Sequence, residues 1–389
     1  EKRRVENERR YGMTLPYACV FSVTWRCNLE CKGCYAANYQ AKEELSVDQI
    51  EKTILECIDL GVYLFVIAGG EPLMVEGLLE RLSRIKDAFF IFYTNGTKLE
   101  REQVKILKDA KHILPVISIE GEEGMTDLRR GEGVGHKVGE AIKALESERV
   151  IFGFSAMVTH KNLRHVLSRD WLDRLWDMGA RYGFFIDYIP MKSNLEESFI
   201  LTDEDRDFKE SAIAERNREA KPPLFNLPPD EYGDGECKSA GKGIFHINAD
   251  GNVEPCPFCH WAADNIREKS VKEILDSEFF RHLRDLSSSL ENPRKECLLF
   301  ANEDKVAKIA DVTGAFRTEK SWDLEKIGDA IARTTEQGAN QLGNISFTID
   351  DEYALKNQAR EEAIKKTKEK ADMIAKQTGM KLDKIKRVL

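Results

Sequence analysis

No apolar run in this chain approaches the length that crosses a membrane, and its first ten residues, EKRRVENERR, are too charged for a secretory signal. Those two absences point to the cytoplasm. Positive charge is not in excess: 59 Lys and Arg stand against 68 Asp and Glu, a net charge of −9. That balance argues against nucleic acid or an anionic membrane as a main partner. Cysteine is scarce, at nine in 389 residues. In a reducing compartment such cysteines serve as ligands or thiols rather than as disulfides. Residues 323–389 contain neither cysteine nor histidine and so offer none of the usual cluster ligands. What remains is ordinary globular composition, 42% hydrophobic and 33% charged, in a chain long enough for two or three domains.

Six short apolar runs divide residues 17–190: YACVFSV (17–23), VYLFVIAG (62–69), FFIFYT (89–94), HILPVISI (112–119), IFGFSAMVT (151–159) and YGFFIDYI (182–189). Their length suits buried parallel strands. Helical stretches lie between them, the clearest opening at Ser46, where SVDQ is a capping-box signature ahead of Ile50, Ile54 and Leu55. The alternation predicts a β/α layout, barrel-like or doubly wound, with its chemistry in the loops that follow the strands. Residues 220–236 hold four prolines and read as an irregular connection. Beyond them, GIFHINADGNVEPC (243–256) reads as two short strands around an Asp250-Gly251 turn.

The chemistry is concentrated in CNLECKGCY, which places Cys27, Cys31 and Cys34 within eight positions directly after the first predicted strand. Three thiols cannot pair off among themselves, and no fourth Cys or His stands nearby to close a structural zinc site. A four-iron cluster on three thiolates keeps one iron free for a small molecule. GGEP (69–72) closes the second strand. Gly69 and Gly70 permit close backbone approach to a ligand, and Glu71 offers an acceptor to an ammonium group. Alone, this motif is equally a tight strand-to-helix turn.

A C-x3-C-x2-C loop after the first strand and GGEP after the second resemble the radical S-adenosylmethionine (SAM) superfamily, over about residues 15–318. The resemblance implies a partial (β/α)6 TIM-like barrel. Cys27, Cys31 and Cys34 would hold a [4Fe-4S] cluster whose free iron is chelated by SAM. A one-electron reductant such as ferredoxin or flavodoxin would supply the electron that cleaves SAM, and the 5′-deoxyadenosyl radical would take a hydrogen atom from substrate. By position, Gly69, Gly70 and Glu71 would meet the methionine amine. SIEG (118–121) and TDLRRG (126–131) match more weakly; there Ser118 would face ribose or carboxylate and Arg130 would pair the carboxylate. One departure is Gly33, where many members carry an aromatic residue; here the aromatic is Tyr35.

A second set, Cys237, Cys256, Cys259 and Cys297, resembles the twitch domain, the shortened form of the SPASM domain, and implies an auxiliary [4Fe-4S] cluster in a small α+β domain. Zinc on the same four thiolates is the alternative, and His260 is a substitute for Cys297 as ligand. Cys19 and Cys57 fit apolar patterns as core thiols, and His246 fits a structural place in its strand. Residues 320–389 resemble the C-terminal half of a SIMPL domain, with a predicted helix at 323–340, a strand at 344–350 and an alanine-striped helix at 353–378. A half-domain leaves an apolar face to cover, so self-association of this α+β tail is expected.

The expected organisation is therefore a radical SAM core at 1–191, a linker and auxiliary-cluster domain at 192–318, and a partial SIMPL-like tail at 319–389. The expected activity is hydrogen abstraction from an unknown substrate, with a peptide as the leading class. The alternative from another class is a non-catalytic redox or zinc module whose tail recruits partners.

Overall fold

The computed structural model describes residues 1–39, 43–191, 195–219, 221–229, 237–290 and 297–319. The tail elements expected at 323–340, 344–350 and 353–378 lie outside the described residues. By its contacts the chain divides into Glu1–Ser321 and Trp322–Leu389.

All six expected strands form: β1 (Ala18–Ser22), β2 (Leu64–Ala68), β3 (Phe89–Thr94), β4 (Ile113–Ser118), β5 (Gly153–Val158) and β6 (Gly183–Asp187). Each pairs parallel with the next in chain order, from Ala18 opposite Leu64 through Val158 opposite Asp187. The helices of this part are α1 (Lys2–Tyr11), α2 (Val47–Leu60), α3 (Leu78–Arg84), α4 (Arg101–Asp109), α5 (Glu123–Arg130), α6 (Val134–Ser147), α7 (Leu163–Val166) and α8 (Arg169–Asp177). Ser46 and Gln49 complete a reciprocal capping box at the start of α2, satisfying two donors that the first turn would otherwise strand. Ile50 and Ile54 are buried beneath it, whereas Leu55, expected in the same stripe, faces solvent at 47% exposure. The heptad-like spacing did not distinguish these neighbours; only the seat of the helix on the sheet did. Cys19 and Cys57 are fully buried, as core thiols.

Beyond β6 come α9 (Asp203–Asn217) and then β7 (Leu224–Leu227), which pairs parallel with β6. The stretch 220–236 is thus not wholly irregular. Its proline pairs flank LFNL, whose Leu224 and Asn226 point inward while Phe225 is half exposed. The hairpin expected around Asp250-Gly251 is present as β8 (Ile244–Ile247) and β9 (Val253–Glu254). β8 also runs parallel to β1, with Ala18 opposite Ile244. One nine-stranded sheet results, in the order β7-β6-β5-β4-β3-β2-β1-β8-β9, and the second cysteine region extends the sheet that carries the first. Two short antiparallel strands, β10 (Trp261–Ala262) and β11 (Phe316–Arg317), bring residues 316–317 back to the second region. The intervening helices are α10 (Val271–Leu275), α11 (Glu278–Ser289), α12 (Leu298–Ala301) and α13 (Glu303–Thr313).

Candidate active site

A cavity of about 310 Å³ occupies the concave side of the sheet and its C-terminal strand ends, within the size range of small-molecule sites. Six cysteines line it: Cys27, Cys31, Cys34, Cys237, Cys256 and Cys297. Gly69, Gly70, Ser118 and Arg130 line it too; Glu71 does not.

Why the first loop sits here follows from backbone contacts. Gly70 N donates to Thr24 O at 2.7 Å and Glu71 N to Arg26 O at 2.9 Å, stitching the GGEP turn to the residues just before Cys27. A Cβ at Gly69 would lie 2.4 Å from Thr24 O, and one at Gly70 would lie 2.1 Å from Arg26 O. The glycines are required by this backbone-to-backbone approach, not only by the approach of a ligand. Gly33 has a similar cause: at φ +66 its missing Cβ leaves room for the Tyr188 ring, 2.7 Å from where that Cβ would stand. The aromatic absent from position 33 is replaced in space by one arriving from the end of β6.

Glu71 departs from expectation. Its carboxylate is fully buried and accepts from Leu73 N at 3.0 Å, Thr94 Oγ1 at 2.8 Å and Asn95 N at 2.7 Å. Burial raises its pKa, against the pull of those donors. The side chain ties the end of β2 to the end of β3, leaving the Gly69–Gly70 backbone to face the cavity. Arg130 is likewise engaged. It reaches Glu120 Oε1 through Nε at 3.0 Å and Nη2 at 2.6 Å, while Arg129 Nη1 meets the same oxygen at 2.6 Å. Burial alone would raise the Glu120 carboxyl, but the two guanidiniums outweigh it and hold it below its usual range. The TDLRRG segment lies largely in helix α5, which aims both arginines inward. Burial pushes the Cys31 thiol up and Arg130 and Arg129 pull it back; Cys27 is raised by burial, with Cys31 and Cys34 adding to it. The three thiols are therefore mutual neighbours beside two cations, which suits an anionic thiolate cluster.

The second set is built differently. Cys237, Cys256, Cys259 and Cys297 are only 4–7% exposed. A tight turn joins two of them, with Cys259 N donating to Cys256 O at 3.1 Å. The Cys256 thiol is raised well above its ordinary value by a hydrogen bond with Cys297 and by burial, and Cys259 by burial and then by Cys297. With Cys237 and Cys297 beside them, Cys256 and Cys259, whose protons are held this firmly, make a donor set that a metal cluster would relieve. Among the described residues no three Cys, His, Asp or Glu side chains gather on a single-ion point. His260 is not a substitute ligand, because its Nδ1 bonds Glu319 Oε2 at 3.0 Å and its Nε2 bonds Pro257 O at 3.0 Å. Cys297 instead stands against Cys256.

Several residues escaped sequence reasoning. Glu120 was in view within SIEG, but nothing local reveals that two arginines converge on it. Asp187, the last residue of β6, is the only carboxylate lining the cavity among the described residues. It is paired with Lys209 of α9, whose side chain is fully buried. Its neighbours place it between the two cysteine sets, since Tyr188 lies over Gly33 and Ile189 packs with Cys297. His246 is structural, as expected, linking Ser22 Oγ at 2.8 Å to Glu254 Oε2 at 2.8 Å. Tyr35 lines the cavity beside this chain, its hydroxyl 3.3 Å from Ser22 Oγ and its pKa pushed up to about 12 by burial.

Comparison with known families matches residues 21–163 to the radical SAM superfamily and 237–298 to SPASM, an iron–sulfur cluster-binding domain. The chain carries a radical SAM domain and a SPASM domain. Residues 304–389 match SIMPL, a protein of unknown function, so that likeness begins inside α13 rather than near 320. Fe-coproporphyrin III synthase of Methanosarcina barkeri is 26% identical, over 74% of this chain and 79% of that protein. PqqA peptide cyclase of Bradyrhizobium diazoefficiens is also 26% identical, over 62% and 67%. In fold, the chain resembles Streptococcus suis SuiB solved with S-adenosylmethionine, at a TM-score of 0.61 and 17% identity, covering 73% of this chain and 71% of that one. This radical SAM protein is an enzyme, with S-adenosylmethionine, a [4Fe-4S] cluster and auxiliary iron–sulfur binding as its cofactor set. No helix among the described residues is long and apolar enough to span a membrane.

Proposed function

We propose that this radical SAM enzyme modifies a peptide, and that Cys27, Cys31 and Cys34 hold the SAM-binding cluster while Cys237, Cys256, Cys259 and Cys297 hold an auxiliary one. The observation that carries this is the single, largely apolar cavity onto which six of the seven cysteines open. The peptide class rests on relatives such as the PqqA peptide cyclase. When bound and reduced, the cluster and SAM supply a radical that removes a hydrogen atom from substrate.

The chain's own residues bind, orient and shield. The backbone at Gly69 and Gly70 would hold the amine of SAM, Ser118 its ribose or carboxylate, and Arg130 its carboxylate. Arg130 does so from its seat on Glu120, which fixes the guanidinium in advance. The apolar walls formed by Ile91, Ile186 and Leu227 exclude water from a reactive species. Asp187, the carboxylate that lines the cavity and pairs with Lys209, would take a proton from substrate. In this reading residues 1–191 form the core, 192–318 supply the second site, and the remainder is a SIMPL-like tail that self-associates. A cytoplasmic ferredoxin or flavodoxin delivers the electron.

The test is anaerobic. Reconstituted enzyme is reduced and given SAM with short peptides encoded beside its gene, then assayed for 5′-deoxyadenosine and for a mass change in the peptide. Deuterium passing from a labelled peptide into 5′-deoxyadenosine is the expected result. A porphyrin that stimulates cleavage where no peptide does would overturn the peptide assignment, and an intact cluster that yields no 5′-deoxyadenosine would overturn the site assignment.

A further inference from the structure

Cys259 is the only one of the seven candidate ligands that does not line the main cavity; it borders a smaller one with His260, Trp261, Glu303, Arg317 and Glu319. Its outer side is thus closed by residues beyond the SPASM match, which ends at 298. The closure is specific. Thr318 N donates to His260 O at 3.0 Å, and β11 pairs with β10 immediately after His260. The Arg317 guanidinium lies over the Trp261 ring at 4.5 Å and bonds both Glu303 Oε1 at 2.7 Å and Glu319 Oε1 at 3.0 Å. Glu319 Oε2 in turn holds His260 Nδ1, while the other ring nitrogen, Nε2, reaches Pro257 O inside the Cys256–Cys259 turn.

We propose that residues 314–319 belong to the second cysteine site, and that Glu319 is a positioning residue which fixes His260 and, through it, the turn presenting Cys256 and Cys259. The proposal rests on the reading that those cysteines hold a cluster. Groups that orient ligands from behind set the affinity and electronic properties of a metal centre, and losing one costs about 10–100-fold in metal affinity. The segment falls within the SIMPL match. Val306, Arg317 and Glu319 of that match border the smaller cavity behind Cys259.

The experiment uses the full chain carrying Cys27→Ala, Cys31→Ala and Cys34→Ala, so that iron reports the second site alone. After anaerobic reconstitution this background should hold about four irons and four sulfides. Adding Glu319→Ala strands His260 Nδ1 while Arg317 keeps Glu303; iron retention against a chelator should fall about 10–100-fold. Glu319→Gln still offers an oxygen to Nδ1 and should retain iron, with shifted g-values in the reduced electron paramagnetic resonance spectrum and a changed midpoint potential. Glu319→Ala that matches its parent in retention, g-values and potential overturns the proposal alone. A background that binds no iron with Glu319 present overturns the second-cluster reading along with it. Glu319→Ala in the cysteine-intact chain should keep the first-site spectrum; losing both clusters there would make Glu319 a general fold support, against the proposal.

Discussion

The two cysteine sets share a cavity but not an environment. Cys27 is exposed and Cys31 and Cys34 are half-buried, whereas the four cysteines of the second set are buried. The first set sits on a loop between strand ends, beside two arginines anchored on Glu120. The second is pinned by a sheet hairpin, a tight Cys256–Cys259 turn and the His260–Glu319 pair. An open set leaves room for a small molecule to complete coordination, and a closed one does not. The difference teaches that the same ligand type can stand in two distinct environments, set by burial and by charged neighbours together.

The largest effect should come from removing either set. Alanine at Cys27, Cys31 and Cys34 together should abolish 5′-deoxyadenosine formation and lower iron from about eight to about four per chain. Alanine at the four second-set cysteines should remove the other half while leaving some SAM cleavage, measured anaerobically without substrate. Equal loss of cleavage in both variants would break the contrast between an open and a closed set.

Next in size is the anchor beneath the open set. Glu120→Ala leaves the Arg129 and Arg130 side chains, 11% and 10% exposed, without their shared carboxylate. Stranding buried charge in this way costs about 3–5 kcal/mol, which denaturant unfolding of the metal-free protein would read. An unchanged midpoint would show that the arginines hold their places without Glu120.

Glu71→Gln should be milder. One oxygen can still serve Leu73 N and Thr94 Oγ1, but the amide NH2 then faces Asn95 N, and one stranded donor costs about 1–3 kcal/mol. If Glu71 ties strand ends together, stability should fall while the Kd for SAM in folded, cluster-loaded enzyme rises less than about tenfold, since a lost charge-assisted bond to the ligand would exceed that. A larger rise at unchanged stability would restore direct contact with the amine.

The smallest effect is on acidification. Glu120 has a depressed folded pKa, so its contribution is complete above the ordinary glutamate value of 4.5 and is lost as pH falls through the lower, folded value. The melting temperature of the native chain should therefore drop more steeply below about pH 4.5 than that of Glu120→Gln. Parallel curves would mean that other carboxylates control the acid limb.

Much of the site was legible because cluster chemistry is local in sequence: C-x3-C-x2-C and the C-x2-C pair each lie on one short loop, and GGEP follows directly on a strand. The six core strands were legible because buried parallel strands are continuous apolar runs. β7 was hidden by the prolines around it, and nothing in IFHI could announce that it lies beside ACVFS, more than two hundred residues earlier. Glu71 illustrates the limit within a motif. The sequence marks the residue, but only the arrival of Thr94 and Asn95 shows that its oxygens are already engaged.

By itself, the sequence determined the identity and spacing of the thiols, the six core strands and the softness of the ligands, because each depends on residues a few positions apart. Tertiary structure alone decided which groups share the cavity. Asp187 gains its buried counterion only because α9 brings Lys209 to it, Arg129 and Arg130 share a carboxylate only because Glu120 waits beyond the end of β4, and Glu319 reaches the second site only because β11 returns to β10. Burial and charge pairing are properties of neighbours in space, and those neighbours are chosen by the fold.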